Sequence, residues 1–187
     1  MATTTETAKV GRPAPDFDMA STKNVEKLNE NVKLSDYKGK WLVLLFYPLD
    51  FTFVCPTELT TFSDRYDDFE GIGADVIGVS TDSVFSHRAW LHTARDKGGV
   101  EGLRYPLAAD QTKEVSRAYG VLIENQGVAL RGLFVIDPEG TLRYAVVHDL
   151  NVGRSAEETL RVIQALQTGG LCGAEWRPGQ KTLSAGA

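Results

Sequence analysis

An α/β fold, with a mixed central sheet flanked by helices, is what this sequence predicts, and three observations carry that reading. Trp41 to Tyr47 is an unbroken apolar and aromatic run, far shorter than a membrane span and typical of a strand buried on both faces. Beyond Cys55 the apolar residues change period: Leu59, Phe62, Tyr66 and Phe69 recur three to four residues apart and draw one helical face. Ala74 to Ser80 then supplies a second buried strand, and a strand, helix, strand unit closes as a parallel, right-handed crossover.

Taken in order, residues 1 to 9 are polar and read as frayed, and the prolines of Gly11 to Phe17 keep that stretch extended. Ser21 to Asp36 reads as a turn or hairpin. Pro48 ends the first buried strand because it has no N–H to give a ladder. Pro56 is tolerated only near the first turn of a helix, so Cys55 stands at the helix start, and Gly71 and Gly73 stop that helix. Thr81, Asp82 or Ser83 caps the next helix, which carries Phe85, Trp90 and Leu91 and runs to about Lys97. Gly98 to Gly102 is a loop, Tyr105 to Ala109 a short strand, and Thr112 to Tyr119 a helix closed by Gly120. Arg131 to Ile136 and Thr141 to His148 are strands joined through Asp137, Pro138, Glu139 and Gly140, an antiparallel hairpin. Ser155 with Glu158 three residues on forms a capping box for the last helix, whose buried side is Val162, Ile163 and Leu166 and whose end is Gly169 and Gly170. The order of elements, with a cysteine at the first helix start, is that of a thioredoxin-type sheet. The expected organisation is one domain over residues 1–170 and an extended tail over 171–187, without periodicity or repeats.

Composition narrows the function. With 187 residues the chain suits one well-buried domain, its 42% apolar content is ordinary, and no run approaches a membrane helix. The net charge is −5 and the Lys and Arg residues are scattered singly, which argues against nucleic acid as a partner. The opening MATTTETAK lacks the apolar core of a secretory signal, so the expected compartment is the cytoplasm, where thiols stay reduced. Cys55 and Cys172 are the only cysteines, which excludes a disulfide scaffold and a paired Cys-x-x-Cys zinc site. His87 and His92 stand five apart, off one helical face, and His148 is remote; these histidines read as structural, and no metal or cofactor is expected.

Cys55 is the residue on which chemistry would centre. Backbone donors and the positive end of a helix favour a thiolate. A thiolate alone is a modest device. Lowering a cysteine pKa from about 8.5 to about 6 raises the ionised fraction at neutral pH roughly thirty-fold. Nucleophilicity falls with basicity, with a Brønsted slope of about 0.4 to 0.5, so roughly ten-fold or more of that gain is lost. A fast cysteine enzyme therefore needs a fixed hydroxyl and a fixed cation that act on the transition state. Thr52, three residues before Cys55, can supply the hydroxyl.

Pro48, Thr52 and Cys55 stand in the spacing Pro-x-x-x-Thr-x-x-Cys, and the longer string FYPLDFTFVCPTE resembles the active-site segment of typical two-cysteine peroxiredoxins of the bacterial alkyl hydroperoxide reductase kind. The resemblance runs from about Gly11 to Trp176, through TDSVFSHRAW, YPLAAD, RGLFVIDPEG and NVGRSAEETLR. It implies a thioredoxin-like fold of peroxiredoxin type. It also implies a thiol-dependent peroxidase that reduces hydrogen peroxide and organic hydroperoxides in antioxidant defence and redox homeostasis. Residue by residue it makes Cys55 the peroxidatic cysteine, has Thr52 hydrogen-bond the peroxide and Pro48 shield the thiolate, and makes Arg131 the required cation. Glu58 and Arg154 match positions that orient that arginine, and Trp90 one that packs near the active-site loop. Cys172 matches a resolving cysteine supplied by the partner subunit, to be re-reduced by a thioredoxin-like or flavoprotein disulfide reductase. A homodimer assembling to a decamer is implied as well.

Two departures stand out. Leu171, Cys172 and Gly173 occupy the place of the family's Val-Cys-Pro, with Trp176 keeping its spacing. The segments GGVEG and KTLSAGA replace the Gly-Gly-Leu-Gly and Tyr-Phe features of easily over-oxidised members, so Cys55 is expected to resist over-oxidation. A thiol-disulfide oxidoreductase is disfavoured because Pro56, Thr57 and Glu58 follow Cys55 with no second cysteine. A holdase assembly without chemistry is the other reading from a different class.

Overall fold

The computed structural model describes residues 7–184. Its strands are β1 (Asp18–Ser21), β2 (Asn31–Lys33), β3 (Trp41–Phe46), β4 (Ala74–Ser80), β5 (Leu107–Ala109), β6 (Leu122–Ile123), β7 (Val128–Ala129), β8 (Arg131–Ile136) and β9 (Leu142–His148). Its α-helices are α1 (Val54–Asp64), α2 (Tyr66–Gly71), α3 (Val84–Leu91), α4 (Glu114–Ala118) and α5 (Ala156–Gln167). A seven-stranded sheet runs in the order β2-β1-β5-β4-β3-β8-β9, and β6 and β7 form a small separate ribbon.

β3 is the axis of this sheet. It pairs in parallel with β4, Val43 opposite Val76, and antiparallel with β8, Leu45 opposite Leu133. Its side chains alternate between two apolar layers, as the period of two requires. Val43, Leu45 and Tyr47 join Leu59, Phe62, Phe69, Trp90 and Ile163 on one face; Leu42, Leu44 and Phe46 join Phe17, Ile77, Val79 and Phe134 on the other. Burial on both faces explains the continuous apolar run in the sequence.

The hairpin of β8 and β9 is tied by the Asp137 carboxylate, which accepts the backbone N–H groups of Glu139 at 3.1 Å and Thr141 at 2.8 Å. Gly140 supplies the left-handed turn residue at φ +88. The polar stretch expected as a turn or hairpin is the β1–β2 hairpin, and it enters the main sheet through β5.

Several boundaries differ from those the sequence suggested. The helix expected from Cys55 to Gly71 is two helices, because Arg65 leaves helical geometry at φ −100 and ψ 13. The Thr60 and Thr61 hydroxyls donate to the carbonyls of Pro56 and Thr57 at 2.6 and 2.7 Å, a side-chain back-bond that bends helices. The helix expected to reach Lys97 ends at Leu91, and a separate 3-10 turn covers Arg95–Lys97. The chain doubles back there: the Trp90 indole N–H donates to the Gly98 carbonyl at 2.8 Å, and a Cβ on Gly99 would fall 1.8 Å from the Thr93 carbonyl oxygen. Phe85, expected on that helix, is 66% exposed.

Ser155 caps α5 by accepting the Glu158 N–H at 3.1 Å, but the reciprocal half of the box is missing because Glu158 pairs with Arg161 at 2.6 and 2.7 Å. Ile163 is buried, with Ala156, Thr159 and Leu160, while Val162 and Leu166 are half-buried. The tail is more ordered than its lack of periodicity suggested. Leu171 bridges Leu183, Trp176 is buried, and Arg161 donates to the Trp176 carbonyl at 2.9 Å. Of the segment expected to fray, residues 1–6 lie outside the described residues, whereas the Ala8 N–H donates to the Ala118 carbonyl at 2.9 Å.

Candidate active site

The C-terminal end of β3 turns through residues 47–53 into α1, and the antiparallel β8 begins beside that end. This topology brings Arg131, the first residue of β8, against the first turn of α1. Cys55 is the second residue of α1 and fully buried; Pro56 follows where its missing N–H is no loss. Arg131, also buried, donates from Nη1 to Cys55 Sγ at 3.4 Å.

Glu58 lies one turn after Cys55 and is buried. Its carboxylate accepts Arg131 Nη1 at 2.6 Å, Arg154 Nε at 2.7 Å, Arg154 Nη2 at 3.0 Å and the Arg154 backbone N–H at 2.7 Å. Four donors fill the lone-pair directions of one carboxylate. Arg131 Nε is held by the Leu150 carbonyl at 2.7 Å, and Arg154 Nη1 by the Phe46 carbonyl at 2.7 Å. Both guanidiniums are therefore fixed in place, as buried ions must be if their desolvation is to be offset. Gly132 is required next to Arg131: a Cβ there would sit 2.5 Å from a Val121 methyl.

Of the residues singled out in the sequence, Cys55, Glu58, Arg131 and Arg154 form one hydrogen-bonded cluster. Pro48, buried, and Thr52, half-buried, lie on the loop that leads into α1. The Thr52 hydroxyl donates to the Leu49 carbonyl at 2.9 Å. Trp90 packs its buried ring against the same loop in a tilted arrangement, with centroids 5.8 Å from Tyr47 and 5.9 Å from Phe51. Cys172 stands apart from the cluster within its own chain. Its sulfur contacts the Thr168 hydroxyl at 3.4 Å and the Ala165 carbonyl at 3.6 Å, at the far end of α5 from Arg154. Ten residues of helix separate Ser155 from Ala165, roughly 15 Å. Both cysteines are free thiols.

A second buried polar cluster lies beside the loop, and no sequence motif marks it. Asp50 accepts the Tyr47 hydroxyl at 2.8 Å, the Ser86 hydroxyl at 2.7 Å and faces His87 Nδ1 at 2.8 Å. Burial, then the Asp50 charge, hold the Tyr47 phenol well above its usual range and raise the Asp82 carboxyl above the ordinary aspartate value. His87, expected only to be structural, is fully buried in this cluster. Its place on α3 gave no periodic signal, because the acid it faces lies in an irregular loop.

A family model described as the AhpC/TSA family matches residues 10–145. The chain is 60% identical over 179 residues to the YkuU protein of Bacillus subtilis (strain 168), covering 93% of this chain and 97% of that one. It is 53% identical over 179 residues to the chloroplastic 2-Cys peroxiredoxin BAS1 of Hordeum vulgare, covering 93% and 84%. Among solved structures it is similar to the reduced 2-Cys peroxiredoxin of Plasmodium vivax, with a TM-score of 0.88 at 36% identity over 92% of this chain and 91% of that one. The crystal structure of Enterococcus faecalis AhpC superposes with a TM-score of 0.81 at 33% identity, over 95% and 99%. The thioredoxin-like α/β fold expected from the order of elements is the fold of these neighbours.

Proposed function

Because this chain belongs to the AhpC/TSA family and is a peroxiredoxin, a thiol-dependent peroxidase, we propose that Cys55 is its peroxidatic residue and that Cys172 of a second copy resolves it. The observation that carries the assignment is the Arg131 guanidinium, held 3.4 Å from Cys55 Sγ and fixed from behind by Glu58. Arg131 and Arg154 bring two positive charges into the buried cluster and Glu58 one negative charge. An ionised sulfur completes the balance, so the cluster suits a thiolate nucleophile.

In the proposed cycle the Cys55 thiolate attacks one oxygen of hydrogen peroxide or an organic hydroperoxide. The O–O bond breaks, Cys55 becomes a sulfenic acid, and the other oxygen takes a proton and leaves as water or an alcohol. The Thr52 hydroxyl donates to Leu49 and keeps its lone pairs free to accept the peroxide proton. Arg131 meets the charge that moves across the O–O bond, Arg154 and Glu58 keep Arg131 aimed, Pro48 shields the sulfur, and Trp90 backs the loop. The thiol of Cys172 then condenses with the sulfenic acid, forming an intersubunit disulfide and releasing water. An external dithiol, thioredoxin-like or a flavoprotein disulfide reductase, returns both thiols and is itself oxidised.

Cys55 is fully buried, and a disulfide needs Cα atoms about 4.4 to 6.8 Å apart, so the first turn of α1 unwinds before Cys172 reaches it. The proposed setting is the cytoplasm, with a homodimer assembling to a decamer. Support for association comes from Phe53 and Phe85, which are 93% and 66% exposed beside the active-site loop and on α3.

Intact-mass measurement under non-reducing conditions, after one equivalent of hydrogen peroxide, tests the cycle. A covalent dimer is expected in the unsubstituted protein and in neither Cys55→Ser nor Cys172→Ser, with Cys172→Ser gaining one oxygen on Cys55. A monomer with one added oxygen in the unsubstituted protein would leave a one-cysteine peroxidase, and no change at all would remove Cys55 from the chemistry.

A further inference from the structure

Asp50 sits between Pro48 and Thr52, yet none of its polar contacts is with Cys55, Arg131 or Glu58. Its carboxylate takes the Tyr47 and Ser86 hydroxyls and His87 Nδ1, all within 2.8 Å. Its backbone N–H donates to Asp82 Oδ2 at 3.0 Å, and the same oxygen accepts the Ser80 hydroxyl at 2.6 Å. On its other side the fully buried His87 ring sets Nε2 3.3 Å from the Ala108 carbonyl, so the ring bridges Asp50 to β5. One loop residue is thus anchored to the ends of β3 and β4, to α3 and, through His87, to β5.

The neighbouring residue shows what this anchoring holds. Phe51 has φ +54, a left-handed conformation that an aromatic side chain rarely adopts. Such a conformation persists where the surroundings over-determine it, and these sites cluster where geometry serves function. Phe51 lies between the anchored Asp50 and Thr52, whose hydroxyl is aimed by the Leu49 carbonyl. The anchor and the hydroxyl belong to the same short turn.

We propose that Asp50 and His87 form a buried clamp that fixes the turn carrying Thr52, and so sets where the threonine hydroxyl meets the peroxide. They are positioning residues, two steps removed from the reacting atoms, and the inference rests on the peroxidase reading of Cys55. A displacement of about 1 Å in such a group costs up to about a hundred-fold in rate. The Cys55 and Arg131 pair is held independently, through Glu58 and Arg154.

The bland alternative is a buried polar knot that only stabilises the fold, and two rates measured on the full-length reduced protein separate the readings. One is the second-order rate of Cys55 with hydrogen peroxide; the other is alkylation of Cys55 by iodoacetamide, which must reach the same buried sulfur but uses no peroxide-binding hydroxyl. For Asp50→Asn and His87→Gln the peroxide rate is expected to fall about ten-fold while alkylation stays within about two-fold. Ser86→Ala removes one donor and leaves the ring in place; a fall of about three-fold is expected. Parallel loss of both rates overturns the clamp, and so does an unchanged peroxide rate. Should the first two variants not fold, Ser86→Ala decides alone by the same criterion. If the unsubstituted protein does not react with peroxide, the peroxidase reading itself fails, whatever the variants do.

Discussion

At the scale of single residues, Glu58 is where stability and chemistry meet. Its carboxylate is the common acceptor for Arg131 and Arg154, and all three groups are buried. Glu58→Ala would take from both buried guanidiniums the carboxylate they share, so a loss of about 3 to 5 kcal/mol in urea unfolding is expected. The peroxide rate should fall with it, because Arg131 loses the partner that aims it at the sulfur. A cost below about 1 kcal/mol would mean that the cluster is solvated and that its charges are not interdependent. Cys55 was legible in the sequence because a strand run, a proline and a change of period meet there. Arg131 and Arg154 were not legible by pattern: their bonds to Glu58 span 73 and 96 residues, and only the family resemblance marked them. Asp50 and His87, 37 residues apart, lie inside the segments FYPLDFTFVCPTE and TDSVFSHRAW, but neither pattern nor resemblance gave them a role.

At the scale of elements, ends were harder to place than existence. β3, β4, β8 and α5 fall within about a residue of where apolar runs and caps put them, since burial and capping are local and strong signals. The break between α1 and α2 and the early end of α3 depend on hydroxyl back-bonding and on a glycine loop folding over Trp90, which period alone does not reveal. The cap of α5 offers a direct check. Ser155 satisfies the Glu158 N–H with its side chain, and Glu158 itself is spent on Arg161. Ser155→Ala should therefore cost about 1 kcal/mol, the typical loss for one cap with no reciprocal partner. For a chain of this length that is a fall in melting temperature of about 2 to 4 °C, measured by circular dichroism. No change would show that the first turn of α5 is held by the neighbouring Arg154 backbone instead.

At the scale of the whole molecule, a single sheet separates two apolar layers, and β3 contributes alternately to both. Leu45 packs in the layer that contains Cys55, and Leu44 in the opposite one. If β3 couples the layers, a cavity on either face weakens one and the same folding unit. Leu44→Ala and Leu45→Ala, both at fully buried positions, should each cost about 2 to 5 kcal/mol. Each should also move the whole urea transition, not a part of it. Two probes make this decisive: far-ultraviolet circular dichroism follows the sheet and helices. Tryptophan fluorescence follows Trp41 and Trp90 in the body and Trp176, buried in the tail against α5. The measurements belong at one fixed protein concentration, because any association of copies shifts the midpoint by mass action. Coincident curves would make the tail beyond Gly170 part of the cooperative unit, its bridge from Leu171 to Leu183 melting with the sheet. A fluorescence transition at lower urea than the circular dichroism transition would instead mark the tail as a separately melting segment. In the proposed cycle Cys172 would then leave α5 for Cys55 of the second copy without unfolding the layer beneath.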